Sequence, residues 1–219
     1  MPRILELFKG TGSVGKYFEL NYPNYEVSSL DILKKYNPTI VSDILTWDYK
    51  IYEPGHFDII WASPECKIFS MLQQTLIGRK WKTREDLEIA RKANWCFPLK
   101  VLEIIEYFKP KVYFIENPYY SAMKDIPEMK LVKSFRFDYC AFGYSYKKPT
   151  RIWSNINLID KVCCCENGHK FRLGITTLKN FNKKNTQKDQ TTLNDRYSIP
   201  QGLLDYLFKS ADDFIKIKI

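Results

Sequence analysis

The sequence predicts an α/β fold of the doubly wound type, in which helices cover both faces of a mostly parallel sheet. Three observations predict it. Short apolar segments alternate with helical ones, a glycine-rich turn follows the first apolar segment, and several apolar segments end in polar or special residues. Ligands of such folds bind outside the carboxyl ends of the strands, so these polar residues are the first candidates for a functional site.

Seven segments have the length and composition of strands. The first runs directly into Gly10-Thr11-Gly12, and the second and third end at Asp31 and Asp43. The fourth precedes Ser63-Pro64, and the fifth ends in Glu116-Asn117-Pro118. The seven predicted strands span residues 3–8, 25–30, 39–42, 57–61, 112–115, 135–142 and 150–157.

Helical segments separate these strands. One is expected after the glycine turn, to about residue 20. Residues 84–109 follow helical spacing, and Pro98 is expected to kink this helix or to divide it in two. Residues 199–214 form an amphipathic segment with its leucines on one side.

The length of 219 residues fits one domain with a small appendage. We expect a core over residues 1–157 and a C-terminal helix, within 197–219, that packs back on it. Between them, residues 158–196 lose all periodicity. Eight Lys and Arg against three Asp and Glu over residues 161–196 give a net charge of +5, which taken alone also fits a solvated loop.

The composition indicates a folded, basic protein. Hydrophobic residues make up 45% of the chain, and the net charge of +9 suggests a polyanionic partner, nucleic acid first. Neither a membrane-spanning run nor a secretory signal is visible, so we expect a soluble, intracellular protein that does not bind membranes. Six cysteines, three of them contiguous, do not form an evenly spaced disulfide framework.

The glycine turn and two acids suggest a nucleotide-like ligand. Gly10 and Gly12 let backbone amides approach a ligand closely, but the spacing lacks the three-glycine dinucleotide fingerprint. Asp31, at the end of the second strand, suits ribose hydroxyls, and Asp43-Ile44 could hold an adenine beside an apolar wall. Alternatively, each Asp simply caps a turn or helix.

Cys66 is the candidate nucleophile. It lies two residues after Pro64 on a loop that leads into a basic stretch, and positive surroundings stabilise a thiolate. The alternative is a buried, inert thiol. Glu116, at the end of the neighbouring predicted strand, would place a carboxyl group in the same crevice, which favours the catalytic interpretation.

These residues carry a resemblance to a known family. The segments 5–13 (LELFKGTGS), 63–70 (SPECKIFS), 116–118 (ENP) and 150–153 (TRIW) occur in the order and spacing of DNA (cytosine-5)-methyltransferases. The chain is most similar to the small members encoded by phages and large DNA viruses, over residues 3 to about 208. The resemblance implies a Rossmann-like, S-adenosylmethionine-dependent methyltransferase fold, and the cytoplasm or nucleus of a host cell if the protein is viral.

The resemblance also implies roles for individual residues. Cys66 would attack carbon 6 of a flipped cytosine, Glu116 would hydrogen-bond ring nitrogen 3 and the exocyclic amine, and Arg151 would help to hold the base. S-adenosylmethionine would be bound by the turn and the strand ends. The residues implied for that cofactor are Phe8, Gly10, Thr11, Gly12, Asp31, Ile32, Asp43, Ile44 and Pro64.

The sequence departs from the family pattern at two places. Glu65 and Lys67 flank Cys66 where the family has Pro and Gln, and their charges would shift the thiol pKa in opposite directions. Pro149 replaces the first of two family arginines. A catalytically silent protein that binds cofactor or DNA is therefore an alternative to an active enzyme, and RNA is an alternative substrate because related enzymes methylate transfer RNA.

Double-stranded DNA is the expected partner of a monomer with a short recognition segment. Basic residues near Cys66 and in the segment 158–196 would contact phosphates, which gives salt-dependent affinity and limited sequence specificity. The C-terminal helix should support the cofactor turn, so that truncation at Ser198 abolishes cofactor binding. The expected DNA-binding residues are Arg79, Lys80, Lys82, Arg84, Lys183 and Lys184.

The cysteines outside the candidate site suggest a loop more than a metal centre. Cys163, Cys165 and His169 supply at most three ligands, and the usual Cys-x2–4-Cys pair is absent, so no metal is expected. Cys96 and Cys140 are expected to be packing residues.

Overall fold

The computed structural model describes residues 1–165, 169, 171–172 and 197–217. A seven-stranded sheet has the order β3-β2-β1-β4-β5-β8-β6, and it is parallel except for the antiparallel β8. Strands β7 and β9 form a separate parallel pair. The strands are β1 Arg3–Leu7, β2 Glu26–Asp31, β3 Ile40–Val41, β4 Ile59–Ala62, β5 Val112–Pro118, β6 Ser134–Asp138, β7 Tyr146–Lys147, β8 Pro149–Ser154 and β9 Phe171–Arg172.

Five α-helices are described, and short 3-10 turns occur in several loops. The helices are α1 Ser13–Asn21, α2 Arg84–Ala93, α3 Cys96–Phe108, α4 Pro127–Lys130 and α5 Gln201–Ile217. None of the described helices is both long enough and apolar enough to cross a bilayer. The doubly wound prediction is confirmed.

The sheet separates two buried apolar layers. One face of the sheet packs against α1 and α5, and the other packs against α3. Phe208 of α5 is 1% exposed and contacts the rings of Tyr17, Phe18 and Phe114. Tyr17 also donates a hydrogen bond to Asp205. The C-terminal helix is therefore fastened to α1, which follows the glycine turn.

Four local predictions need correction. The predicted division of the helix 84–109 in two is confirmed, but it lies at Asn94 and Trp95 and not at Pro98. Pro98 lies in the first turn of α3, where its missing N–H is not needed. The predicted strand 135–142 ends at Asp138, because residues 139–142 form a 3-10 turn closed by Gly143 at φ 87°. The predicted strand 150–157 ends at Ser154, and the aperiodic segment contains β9. Lys183 and Lys184 lie outside the described residues.

Candidate active site

The glycine turn connects β1 to α1 through three residues with positive φ. Phe8, Gly10 and Gly12 have φ values of 58°, 49° and 68°, a region that favours glycine and strains Phe8. Lys9 donates its N–H to Leu30 of β2, and Gly12 donates to Lys9 at 2.8 Å. The turn is thus held tightly across the ends of β1 and β2, and its backbone borders the N-terminus of α1.

Asp31 anchors this turn. Its Oδ2 accepts the N–H of Gly10 at 2.9 Å, and its Oδ1 accepts the N–H of Leu33 at 2.8 Å. Each oxygen keeps a further lone pair, so the carboxylate can also accept from ribose hydroxyls. Ile32 beside it is 60% exposed, an apolar side chain at the ligand edge of the sheet.

Asp43 has a similar local role after β3. Its Oδ1 accepts the N–H of Leu45 at 2.9 Å and so closes a turn, while Ile44 is buried in the α3-side layer. Turn capping, the alternative raised from the sequence, is therefore present at both Asp31 and Asp43. It leaves acceptor capacity at each carboxylate for a ligand.

Glu6 lies beneath the turn and was not singled out in the sequence. Its two carboxyl oxygens accept the N–H groups of Val14 and Gly15 at 3.2 and 3.1 Å, in the first turn of α1. The side chain is 3% exposed, and burial raises its pKa to about 7 although the backbone N–H groups lower it. Glu6 therefore links β1 to the helix that follows the turn.

A cavity of about 560 Å³ borders the turn on its α1 side. Its lining includes Gly10, Gly12 and Glu6 but neither Asp31 nor Asp43. The glycine turn therefore separates this cavity from the two acids at the strand ends. The strand ends combine the glycine backbone, two carboxylates and the exposed Ile32, so they offer both polar and apolar groups to a ligand.

Asn117 and Arg91 hold the loop that carries Cys66. Asn117 is fully buried and donates from Nδ2 to the carbonyl of Pro64 at 2.9 Å. Arg91 of α2 is 4% exposed and donates to the carbonyls of Ile68 and Ser70 at 3.4 and 3.3 Å. Two long-range contacts therefore fix the backbone on both sides of the cysteine.

Gln73 adds a third support. It is buried and donates to the carbonyl of Lys67, while its Oε1 accepts the indole N–H of Trp81, each at 3.0 Å. The basic stretch and the cysteine loop are thus joined through one amide. No local sequence signal marks Gln73 or Arg91, because their partners lie on other elements.

The charge of Glu116 acts on the Cys66 thiol. Burial, and next the charge of Glu116, raise the pKa of the Cys66 thiol, while Lys148 lowers it. Burial also raises the pKa of Glu116, and Lys148 again opposes the shift. Lys148 donates to the hydroxyl of Tyr139 at 3.4 Å. The structure thus brings Cys66 and Glu116 together, with Lys148 as a nearby cation that the sequence analysis did not assign.

Three buried polar atoms at the adjoining ends of β5 and β8 have no hydrogen-bond partner among the described residues. They are Oε1 of Glu116, Oδ1 of Asn117 and Nε of Arg151. Buried polar groups are normally satisfied, so the unsatisfied Oε1 of Glu116 is typical of a site that receives a polar ligand. Asn117 and Arg151 lie on the other face of the sheet.

Glu65 has little influence on the thiol. It is exposed, and its effect on the Cys66 pKa comes after those of burial, Glu116 and Lys148. Lys67 is exposed as well. The opposing shifts expected from the two flanking charges are therefore secondary to the buried surroundings, and the net result is a raised thiol pKa.

Arg151 is not brought to Cys66 and Glu116. Arg151 pairs with Asn117 across the β5–β8 ladder, whereas Glu116 pairs with Ile152. Because cross-strand partners share a face and consecutive residues alternate, Arg151 points to the face opposite Glu116. Its Nη1 donates to Ser134, and its guanidinium stacks on Tyr119 at 4.3 Å. Its role as a base-holding residue stays a prediction.

The basic residues near the cysteine loop are available to a partner. Arg79, Lys80, Lys82 and Arg84 are all exposed, and none forms an ion pair within the described part of the chain. Thr83, between them, caps α2 with a capping box. The cap fixes where the basic stretch ends.

The cysteine cluster differs from the prediction. Donor atoms of Cys140, Cys163, Cys165 and His169 all lie within 4.8 Å of one another. The prediction of at most three candidate ligands is wrong, because the 3-10 turn after β6 adds Cys140, which the sequence analysis treated as a packing residue. Cys96 is exposed, so its predicted packing role is also wrong.

One curated relative matches most of the chain. A probable DNA (cytosine-5)-methyltransferase of Frog virus 3 (isolate Goorha) is 38% identical, and the match covers 74% of each chain. No family model matches the chain.

Solved structures match at lower identity. An Entamoeba histolytica methyltransferase, EhMeth, superposes with a TM-score of 0.51 at 17% identity, over 78% of this chain and 57% of that one. Spodoptera frugiperda DNMT2 superposes with a TM-score of 0.50 at 15% identity, over 77% of this chain and 57% of that one. The chain thus spans just over half the length of these two proteins, and the likeness to them shows the fold.

A seven-stranded sheet of this order, with a glycine turn after its first strand, is the Rossmann-like architecture of S-adenosylmethionine-dependent methyltransferases, and this chain is one of them. The sequence identity of 38% to the viral relative is high enough to assign the family within this class. The chain belongs to the DNA (cytosine-5)-methyltransferase family. The resemblance stated from the sequence is confirmed.

Proposed function

We propose that the protein transfers a methyl group to carbon 5 of a flipped cytosine in double-stranded DNA, through a covalent bond to Cys66. The observation that carries this proposal is the buried, unpartnered Oε1 of Glu116, whose charge acts on the half-buried Cys66. An acceptor without a partner next to a nucleophile suits a ring that must be held while it is attacked.

The cofactor would lie across the turn and the strand ends. Gly10 and Gly12 would present backbone N–H groups, Asp31 would accept from the ribose hydroxyls, and Ile32 and Asp43 would flank the adenine. S-adenosylmethionine supplies the methyl group and is released as S-adenosylhomocysteine. Glu6 and α5 would act indirectly, by holding α1 behind the turn.

Cys66 would supply the nucleophile. Since its pKa is raised, the resting group is a thiol, and Lys148 would favour the thiolate when the site closes over a base. The thiolate forms a bond from Sγ to carbon 6, and carbon 5 gains the electron pair that then takes the methyl group. Loss of the carbon 5 proton to a base breaks the Sγ–carbon 6 bond and restores the thiolate.

Glu116 would stabilise the ring during attack. A carboxyl group with a raised pKa is more often protonated, so it can donate to ring nitrogen 3, while an unpartnered oxygen accepts from the exocyclic amine. Protonation at nitrogen 3 reduces the electron density at carbon 6. The acid would activate the ring and the thiol would attack it, so both groups are needed in one site.

The fixed backbone of the cysteine loop would position the thiol. Asn117 and Arg91 hold that backbone from two directions, so Cys66 needs little rearrangement when a base enters. The exposed stretch from Arg79 to Arg84 would contact phosphates beside the crevice. Because a stacked cytosine hides both faces, the base must leave the helix to reach Sγ.

A mechanism-based trap tests the covalent step. In 5-fluorocytosine, fluorine replaces the proton that is removed from carbon 5 in the last step, and it cannot be removed in the same way. With duplex DNA that contains this base we therefore expect a denaturation-resistant complex of the wild-type protein in the presence of S-adenosylmethionine. The Cys66→Ala variant should form none, and Cys96→Ala, at an exposed cysteine outside the site, should behave as wild type. Equal trapping by Cys66→Ala would overturn the proposal.

The nucleic acid is tested in the same assay. Duplex DNA, single-stranded DNA and transfer RNA would each carry the fluorinated base. Complex formation with duplex DNA is expected. A complex with transfer RNA alone would replace the DNA part of the proposal with RNA and keep the Cys66 chemistry.

A further inference from the structure

Four metal-ligand side chains meet beside β6. Cys140 comes from the 3-10 turn after that strand, and Cys163, Cys165 and His169 come from the beginning of the segment 158–196. All four donor atoms lie within 4.8 Å of one another, and Cys163 Sγ is 3.5 Å from His169 Nε2. Two parts of the chain that are distant in sequence therefore converge on one point.

We propose that these four residues bind one Zn²⁺ ion in a tetrahedral Cys3His site. A tetrahedral zinc has bonds of about 2.3 Å to sulfur and about 2.0 Å to nitrogen, which places a sulfur and a nitrogen ligand about 3.5 Å apart. The Cys163–His169 distance equals that value. Three sulfurs and one imidazole suit zinc, whereas Mg²⁺ and Ca²⁺ prefer oxygen ligands.

The contiguous cysteines do not compete for one ion. Cys164, between two ligands, is exposed and lies outside the cluster, so only two of the three neighbours point to the site. Cys140 supplies the third sulfur from another element. The steric objection to three adjacent ligands is removed, and Cys164 becomes a control within the same loop.

Backbone contacts hold the ligands in place. Asp138, fully buried at the end of β6, accepts the N–H of Cys163 at 2.9 Å. Arg136 and Lys147 balance the charge of this carboxylate. The backbone of Lys161 exchanges two hydrogen bonds with β6, each of 2.9 Å. The chain is thus directed toward Cys140 by contacts that need no metal, as in a preorganised site.

The ion would fasten the basic segment to the core. The cluster joins the turn after β6 to Cys163, Cys165 and His169, and β9, Phe171–Arg172, pairs with β7 a few residues further along. Since β6 is the edge strand and β1 lies four strands away, the site is remote from the glycine turn. Loss of zinc should therefore leave cofactor binding intact.

Elemental analysis of the full chain, purified without a chelator or an affinity metal, tests the proposal. We expect one zinc per chain in the wild type and in Cys164→Ser. In Cys140→Ser and Cys163→Ser we expect zinc to fall by about tenfold or more. Zinc equal in Cys163→Ser and the wild type would overturn the proposal, as would iron in place of zinc.

Cobalt gives a readout that does not depend on a variant folding. Co²⁺ added to zinc-free wild-type protein should produce thiolate-to-cobalt charge-transfer absorption and the visible bands of a tetrahedral ion, saturating at one equivalent. His169→Cys should retain the metal with a shifted spectrum. No absorption, or a disulfide among Cys140, Cys163 and Cys165 found by mass spectrometry of the freshly purified protein, would refute the site.

Discussion

The buried carboxyl group of Glu6 should make the stability of this protein depend on pH. The side chain is 3% exposed beneath the glycine turn, and its pKa is raised from the ordinary 4.5 to about 7, with burial as the largest cause. Because the folded-state pKa lies above the unfolded value, the folded protein binds more protons between these two values. The free energy of unfolding contributed by this group is therefore highest below pH 4.5 and is lost as the pH rises to about 7.

The size of the effect follows from the two pKa values. A shift of one pKa unit corresponds to about 1.4 kcal/mol, so the full displacement of Glu6 is worth about 3 kcal/mol. Between about pH 5 and about pH 8, the part of the window that is easily measured, the linkage relation gives a loss of about 2.5 kcal/mol. Above about pH 8 the contribution should be flat, because both states are then ionised.

Urea unfolding followed by tryptophan fluorescence measures this loss. The Glu6→Gln variant is the matched control, since it keeps the side-chain length and cannot titrate. In this variant an amide N–H faces a backbone N–H, which lowers the free energy of unfolding at every pH. Only the change of that free energy with pH is therefore compared between the two proteins. The wild type should lose about 2.5 kcal/mol more than the variant over this range. Parallel profiles would refute the assignment of a raised pKa to Glu6.

Three further predictions concern the site, the core and the surface. Glu116→Gln should speed alkylation of Cys66 by iodoacetamide at a fixed pH, because it removes a charge that raises the thiol pKa, and Lys148→Met should slow it. Phe208→Ala should lower the free energy of unfolding by about 3–5 kcal/mol in urea, because the ring is 1% exposed. Lys80→Ala should reduce the slope of log affinity for duplex DNA against log salt by about 0.9, measured by fluorescence anisotropy.

Each of these predictions has a control. Alkylation rates are compared with those of Cys66→Ala, which reports the other cysteines, and equal rates in Glu116→Gln and the wild type would contradict the electrostatic account. Leu20→Ala, at a residue 81% exposed on α1, should leave the free energy of unfolding nearly unchanged. A salt slope that does not change in Lys80→Ala would remove that residue from the phosphate contacts.

The sequence predicted those parts of the molecule that depend on local signals. Short apolar runs followed by glycine, Asp31, Pro64 or Glu116 located the carboxyl ends of parallel strands, because turn chemistry acts over a few residues. The same signals predicted that Cys66 and Glu116 share a crevice, and in the structure the charge of Glu116 acts on the Cys66 thiol.

Contacts between distant segments could not be read in this way. Arg91 supports the cysteine loop through the backbone carbonyls of Ile68 and Ser70, and a sequence does not show which carbonyl will accept a hydrogen bond. Cys140 joins the other cluster residues only because the chain turns after β6 and returns beside that strand. The effect of Glu65 was overestimated because a neighbour in sequence can point into solvent. Glu116, fifty residues away in sequence, is buried and has the larger effect on the thiol pKa.

The central claim is that this chain methylates cytosine through Cys66. Transfer of a radiolabelled methyl group from S-adenosylmethionine to duplex DNA tests it most directly, with bisulfite sequencing of the product to locate the modified base. The wild type should label DNA that contains cytosine, and neither Cys66→Ala nor a duplex with every cytosine already methylated at carbon 5 should give label above background. Transfer by Cys66→Ala at the wild-type rate, or none by the wild type, would contradict the claim.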